Sequence, residues 1–144
     1  MKAVNKGIDE RLFNVIVETN SQAPFYGLVG IYTKTLGEAW AEMAVVTEPR
    51  HCNPLGITHG GLVSTLADAA MGNALRTTGK KGVTASYDIS FLSSAPAGHE
   101  MIGRGKVVKA GRKLIFTTSE VYCADQLIAI SQATFYVVGE IDFE

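Results

Sequence analysis

Two hydrophobic periods divide this chain, and the change from one to the other falls near Gly79. Before it, Ile8, Leu12, Val15 and Ile16 recur at helical spacing over residues 8–19. Asp9 and Glu10 stand in the first turn of that segment, where a helix dipole favours acids. The region around Pro24 ends the helix. Residues 39–47, AWAEMAVVT, read as a strand, and residues 61–76 as the main helix. After Gly79 the period is two. In residues 83–92, Val83, Ala85, Tyr87, Ile89 and Phe91 alternate with Thr84, Ser86, Asp88 and Ser90, the pattern of a strand with one buried face. Three further strands are predicted over 101–110, 113–123 and 127–138. Gly111 punctuates one junction and Ala124-Asp125-Gln126 the other, so short hairpins and antiparallel pairing are expected. A short helix, a strand, a long helix and four successive strands make an α+β architecture, one sheet wrapped on one helix. No linker, repeat or low-complexity stretch interrupts residues 1–144, which read as a single domain.

The predicted long helix is unusual in being apolar on most of its circumference. Leu62, Val63, Leu66, Ala67, Ala69, Ala70, Met71, Ala74 and Leu75 cover more than one stripe, so the helix should be buried. Its many small residues would let a sheet curl closely around it. Within it stands one carboxylate, Asp68, with no opposite charge at i±3 or i±4. A carboxylate that faces solvent is the bland reading, but the neighbouring residues leave little polar face for it. A desolvated acid has a raised pKa, which suits a general base or nucleophile.

Just upstream, His59-Gly60-Gly61 stands where a loop carrying Asn53, Pro54 and Gly56 enters that helix. Backbone N–H groups at such a terminus lack intrahelical partners and lie at the positive end of the dipole. Glycine permits close approach of a ligand, so these donors are suited to a phosphate or to a carbonyl oxygen in an oxyanion hole. Two glycines before a helix often serve only a tight turn. The combination with Asn53, Gly56 and an acid nine residues after the histidine is far more specific.

Composition removes several function classes. The chain has 144 residues, 47% hydrophobic and 19% charged, as an ordinary folded domain does. Thirteen Lys+Arg against fourteen Asp+Glu leave a net charge near −1, without the basic footprint of a nucleic-acid binder. The apolar runs are too short for a membrane span, and the N-terminal stretch has no signal-peptide pattern. Cys52 and Cys123 form no CxxC motif and read as free thiols in a reducing cytoplasm, the expected location.

The stretch NPLGITHGGLVSTLADAAMGNA, residues 53–74, resembles the signature of hotdog-fold acyl-CoA thioesterases of the phenylacetate-degradation (PaaI-like) group. The TASYDISFL strand, the KAGRKL turn and the final strand LIAISQATFYV match as well, so the resemblance covers essentially the whole chain. It implies a long helix enveloped by an antiparallel sheet, dimerisation through the sheets, and hydrolysis of acyl-CoA thioesters without metal or organic cofactor. Carried over by position, it assigns Asp68 as the carboxylate that activates water or attacks the thioester. The Gly60 N–H, followed by Gly61, would polarise the carbonyl; His59 and Asn53 would orient the substrate or stabilise the thiolate. Thr84 would help to hold the attacking water. Many relatives carry Arg-Pro after the Phe-Leu of that strand; this chain departs from them with Ser93-Ser94, which puts in doubt a phosphate contact supplied from there.

Other residues carry weaker signals. Arg112 and Lys113 are either a polar hairpin tip or a contact for the CoA phosphates. His51, Cys52 and His59 match no metal-ligand spacing. Ser64 and Thr65 lack a GxSxG elbow. Lys80-Lys81 reads as a solvated loop. The expected partner is acyl-CoA, with a homodimer or dimer of dimers carrying active sites at the subunit interface and no nucleic acid or membrane partner. The dimer also follows from spacing. Over nine residues a continuous helix separates His59 from Asp68 by roughly 13 Å, too far for one helix to serve one carbonyl. A hotdog dehydratase or hydratase would need a differently spaced acid and histidine. A non-catalytic acyl-CoA-binding module would have no use for Asp68.

Overall fold

The computed structural model describes residues 2–144. Helix α1 (Glu10–Gln22) begins under Asp9, whose carboxylate caps Arg11 N–H at 2.8 Å, and α2 (Pro24–Val29) restarts the chain with Pro24 in its first turn. The proline therefore separates two helices, where the sequence pattern predicted only an end. Strands β1 (Val4–Asn5), β2 (Tyr32–Gly37), β3 (Trp40–Val46), β4 (Lys80–Phe91), β5 (Glu100–Ala110), β6 (Leu114–Cys123) and β7 (Gln126–Glu140) form one sheet in the order β1-β2-β3-β5-β6-β7-β4. All neighbours pair antiparallel except β1 with β2. The helix α3 (Gly60–Arg76) lies in the hollow of the sheet.

Strand β2 is absent from the sequence reading for a physical reason. Its buried positions include Thr33 and Thr35, while its outward positions include Tyr32 and Lys34, so hydrophobicity does not trace the alternation. β1 is too short to give any period.

Close contact between α3 and the sheet depends on small residues on both sides. Ala67, Ala70 and Ala74 are fully buried. On β5, a Cβ at Gly105 would stand 2.3 Å from the Ala70 carbonyl oxygen, and one at Gly103 would stand 3.0 Å from that of Leu66. No side chain fits at Gly105, so the helix backbone rests directly on the strand. Leu66 fills the rest of this core with Met101, Val121 and Ile128, and Met71 and Leu75 pack with Ile115 and Phe135.

The opposite flank of α3 is held by α1 through a buried polar network. Asn20 Nδ2 donates to Asn73 Oδ1 and to Thr33 Oγ1, both at 2.9 Å, and Arg76 donates to Asn20 Oδ1 at 2.6 Å and to Asn73 Oδ1 at 3.0 Å. A network with its members paired in this way fixes one docking geometry for the N-terminal helices. Between α1/α2 on one side and β4 on the other, one face of α3 is left open. Gly61, Thr65, Asp68 and Gly72 line it at helical spacing.

Candidate active site

The loop before α3 is built on backbone turns that Asn53 and His51 organise. Asn53 Oδ1 accepts from Leu55 N–H at 2.9 Å and from Ile57 N–H at 3.4 Å, and its backbone closes onto Ile57 and Gly56. This is the short-range bonding by which Asn stabilises a turn, and it leaves the Nδ2 amide without a partner among the described residues. His51 is buried with both ring nitrogens engaged: Nδ1 accepts from Glu48 N–H at 2.9 Å, and Nε2 lies 2.8 Å from the Val29 carbonyl oxygen. Nδ1 as acceptor fixes the proton on Nε2. His51 thus braces the loop against α2, and its carbonyl accepts from His59 N–H at 2.8 Å. This function was not visible in the sequence.

The two glycines at the start of α3 have different reasons to be glycine. His59 is the N-cap, and its Nδ1 accepts from Gly61 N–H at 2.7 Å. A Cβ on Gly61 would stand 2.9 Å from that nitrogen. Contrary to the expectation of a row of free donors, the Gly61 N–H is therefore occupied by the cap. Gly60 N–H has no acceptor among the described residues. A Cβ on Gly60 would meet the tip of the Phe91 ring, with Cζ at 3.3 Å and Cε1 at 3.4 Å.

Two turns further along α3, Thr84 Oγ1 donates to Asp68 Oδ1 at 2.7 Å. Burial pushes the Asp68 carboxyl above its ordinary range, and the Thr84 bond opposes that shift only in part. The acid is half-buried, in line with the scarcity of polar surface around it.

β4 reaches α3 at this point by breaking its own alternation. Thr84 bonds Asp68, and Tyr87 OH donates to the Ser64 carbonyl oxygen at 2.7 Å, so both side chains face the helix. Residues three apart on a regular strand point to opposite faces. The conflict is resolved by a β-bulge: Thr84 pairs with Phe135 and Ser86 with the adjacent Thr134, so Ala85 is extra. The sequence reading of one regular buried face, with Val83 and Ala85 inside, is corrected here. Both are exposed, and Thr84, exposed as well, is the residue whose hydroxyl is aimed at the helix. Tyr87 was missed as a site element, because the bulge that aims it has no hydrophobic signature.

Gly60 with Phe91, Ser64 with Tyr87, and Asp68 with Thr84 form three successive rungs between α3 and β4. The rungs run antiparallel. Gly60 and Asp68 are eight residues apart on one helix, roughly 12 Å along its axis. Asp68 and Thr84 are brought together in the chain; His59 and Gly60 stand apart from them at the helix start, with Asn53 in the turn that precedes it. Arg112 and Lys113 lie in the exposed turn between β5 and β6, where the Lys113 carbonyl accepts from Val137 N–H at 2.8 Å. A concavity of about 590 Å³ lies on the outer face of the sheet between Trp40, Lys106, Gln132 and Asp88. It is remote from Asp68 and lacks a buried titratable group, so the chemistry is assigned to the α3–β4 side instead.

The family model described as the thioesterase superfamily matches residues 55–130, a span that begins in the Asn53 loop and takes in α3 and β4 to β6. The chain belongs to the thioesterase superfamily. Human acyl-coenzyme A thioesterase 13 is 34% identical over 94 residues, 64% of this chain and 66% of that protein. The Escherichia coli PaaI protein of the phenylacetic acid degradation operon superposes with a TM-score of 0.87 over 94% of this chain and 100% of that one, at 19% identity. A Streptococcus mutans protein solved bound to acetyl CoA superposes with a TM-score of 0.74, covering 78% and 91% of the two chains at 24% identity. At such identities the structural matches speak for the fold, which is the hotdog fold: α3 inside, the antiparallel-rich sheet around it.

Proposed function

We propose that this superfamily member hydrolyses acyl-CoA thioesters to the free acid and CoA, with Asp68 as general base or nucleophile. The observation that carries this reading is the Asp68–Thr84 pair on the open face of α3, a half-buried carboxylate of raised pKa with one oxygen fixed and the other free. A carboxylate so placed, with one oxygen held 2.7 Å from a hydroxyl, can accept a proton from a water on its other oxygen or attack the carbonyl directly. The free Gly60 N–H at the helix start is a donor of the kind that stabilises a developing oxyanion. His59 Nε2 and the Asn53 amide nitrogen, neither of them bonded among the described residues, would orient the thioester or meet the leaving thiolate. The 34% identity to an acyl-coenzyme A thioesterase supports the substrate class.

The site is shared between two copies in this reading. One helix separates Gly60 from Asp68 by roughly 12 Å, whereas carbonyl oxygen and attacking atom are only about 3 Å apart. A twofold axis passing beside Ser64 brings Gly60 of one copy to the partner's Asp68, and through the three rungs the same axis passes β4 near Tyr87. β4 is the edge strand of the sheet, with one side unpaired within the chain. An isologous pairing of this edge supplies two complete sites at once.

The test is a panel of acyl-CoA substrates with release of CoA thiol as the readout. Thiol release at rates above background, lost in Asp68→Asn, is expected. Binding of the same thioesters without any turnover would instead make the chain an acyl-CoA-binding module.

A further inference from the structure

Phe91 is a large apolar side chain that is 54% exposed, yet its placement is specific. The tip of the ring lies tightly against the place where a Cβ of Gly60 would be, with Cζ at 3.3 Å from that position. A Cβ lies within about 2.5 Å of its own backbone nitrogen, so the ring tip is at most roughly 6 Å from the Gly60 N–H. An acyl carbonyl accepting from that N–H has its oxygen about 3 Å away, and its α-carbon lies on the order of 4–5 Å from the nitrogen. Ring tip and α-carbon are therefore held at comparable distances from the same donor. Leu92, also half-exposed, follows on the same edge, and its N–H bonds to the Ile128 carbonyl at 2.8 Å, which anchors the strand end carrying the ring.

We propose that Phe91 is the specificity-determining residue for the acyl group at its α-carbon: the ring admits an α-methylene and excludes an α-branch. This rests on the reading of Gly60 N–H as the carbonyl donor of a thioesterase. Because Phe91 travels with Gly60, it serves the site completed by the partner's Asp68, not the site of its own Asp68. The side chain acts by volume alone and takes no part in proton transfer.

The experiment compares butyryl-CoA with its α-branched isomer 2-methylpropanoyl-CoA on the wild type, Phe91→Ala and Phe91→Leu. A methyl-sized difference in a fitted pocket is worth about 10-fold or more in kcat/KM. The wild type is expected to prefer the linear substrate by about that factor. Phe91→Ala should reduce the preference to near unity, with Phe91→Leu in between, and inhibition by free CoA should stay the same. Equal loss on both substrates, with the preference intact, would overturn the proposal and make the ring a packing element. Should the wild type turn over neither of these thioesters nor any other of the acyl-CoA panel, the thioesterase reading fails by itself, and Phe91 is then judged on non-hydrolysable thioether analogues of the same pair. The ratio of their Kd values must collapse in Phe91→Ala for the proposal to survive.

Discussion

Thr84 Oγ1 and Asp68 Oδ1, sixteen residues apart in sequence and on different elements, stand 2.7 Å apart because an extra residue, Ala85, turns the strand. The bond consumes one carboxylate oxygen and leaves the other for chemistry. It also fixes the rotamer of an acid that burial alone would leave protonated to a higher pH. Asp68→Asn keeps this geometry and removes only the ionisable group. Turnover is expected to fall by at least ~10²-fold, the usual scale for losing a general base. A folded Asp68→Asn protein with near wild-type turnover would reject the assignment.

The same substitution has a consequence for stability. The folded-state pKa of Asp68 is raised, so the protonated form is favoured by folding. Stability from this group is present below its unfolded pKa of about 3.9 and is lost as pH rises through the folded value. At neutral pH the ionised acid is therefore a liability, which Asn lacks. Asp68→Asn should melt at or above the wild-type temperature at pH 7, with the difference vanishing toward pH 3. A variant less stable at pH 7 and unchanged by acid would show that the carboxylate is not desolvated.

Thr84→Val removes the one hydroxyl that lowers the Asp68 pKa and preserves the volume of the side chain. The acid limb of the kcat/KM profile should then shift to higher pH, because the carboxylate forms later. Acid limbs that coincide in wild type and variant would uncouple Thr84 from the titrating group.

How these residues meet was legible in the sequence only in part. The 53–74 stretch pointed to Asp68, Gly60, His59 and Asn53 together, since glycine, an N-cap and a lone acid in an apolar helix leave marks on composition. The α+β order and the four C-terminal strands were equally visible, because one face of each long strand is apolar. The bulge at Ala85 was not. It arises from competition between strand pairing and contacts with α3, and no local pattern in TASYD records that contest. For the same reason Tyr87 and Phe91 passed as ordinary core positions, and the capping of Gly61 by His59 became evident only with coordinates.

His59 has two ring nitrogens, and they can be tested separately. Nδ1 caps α3; Nε2 is available to a substrate. His59→Ala loses both and should cost about 1 kcal/mol of stability as a lost N-cap, in addition to activity. His59→Asn restores a cap and should recover the stability, as measured by urea denaturation, while activity stays low. If activity returns along with stability, the imidazole matters only as a cap.

Arg112 and Lys113 sit at an exposed hairpin tip, where a CoA phosphate would be met by long, solvated cations. Contacts with a remote phosphate bind ground state and transition state alike. The double change to Ala should raise KM at low salt and leave kcat nearly unchanged, with the difference shrinking as salt screens the charges. A KM indifferent to the change at low salt would send the phosphates elsewhere.

The shared site makes the sharpest demand. A chain carrying Asp68→Asn retains Gly60, His59 and Asn53; a chain carrying Asn53→Asp and His59→Asn retains Asp68 and Thr84. The second pair is chosen because Asp keeps the oxygen that closes the 53–57 turn and Asn keeps the helix cap, so each loses its substrate donor and not its fold. Each homodimer should be inactive. When the two are unfolded together and refolded, random pairing makes half of the dimers mixed, and each mixed dimer contains one site with all its groups intact and one in which Asn53, His59 and Asp68 are all replaced. Activity should recover to about a quarter of the wild-type value, a figure set by symmetry alone. Native mass spectrometry establishes that the heterodimers exist. Heterodimers without activity would mean that Gly60 and Asp68 of one chain serve one substrate, and the roughly 12 Å between them would then have to be closed by bending α3.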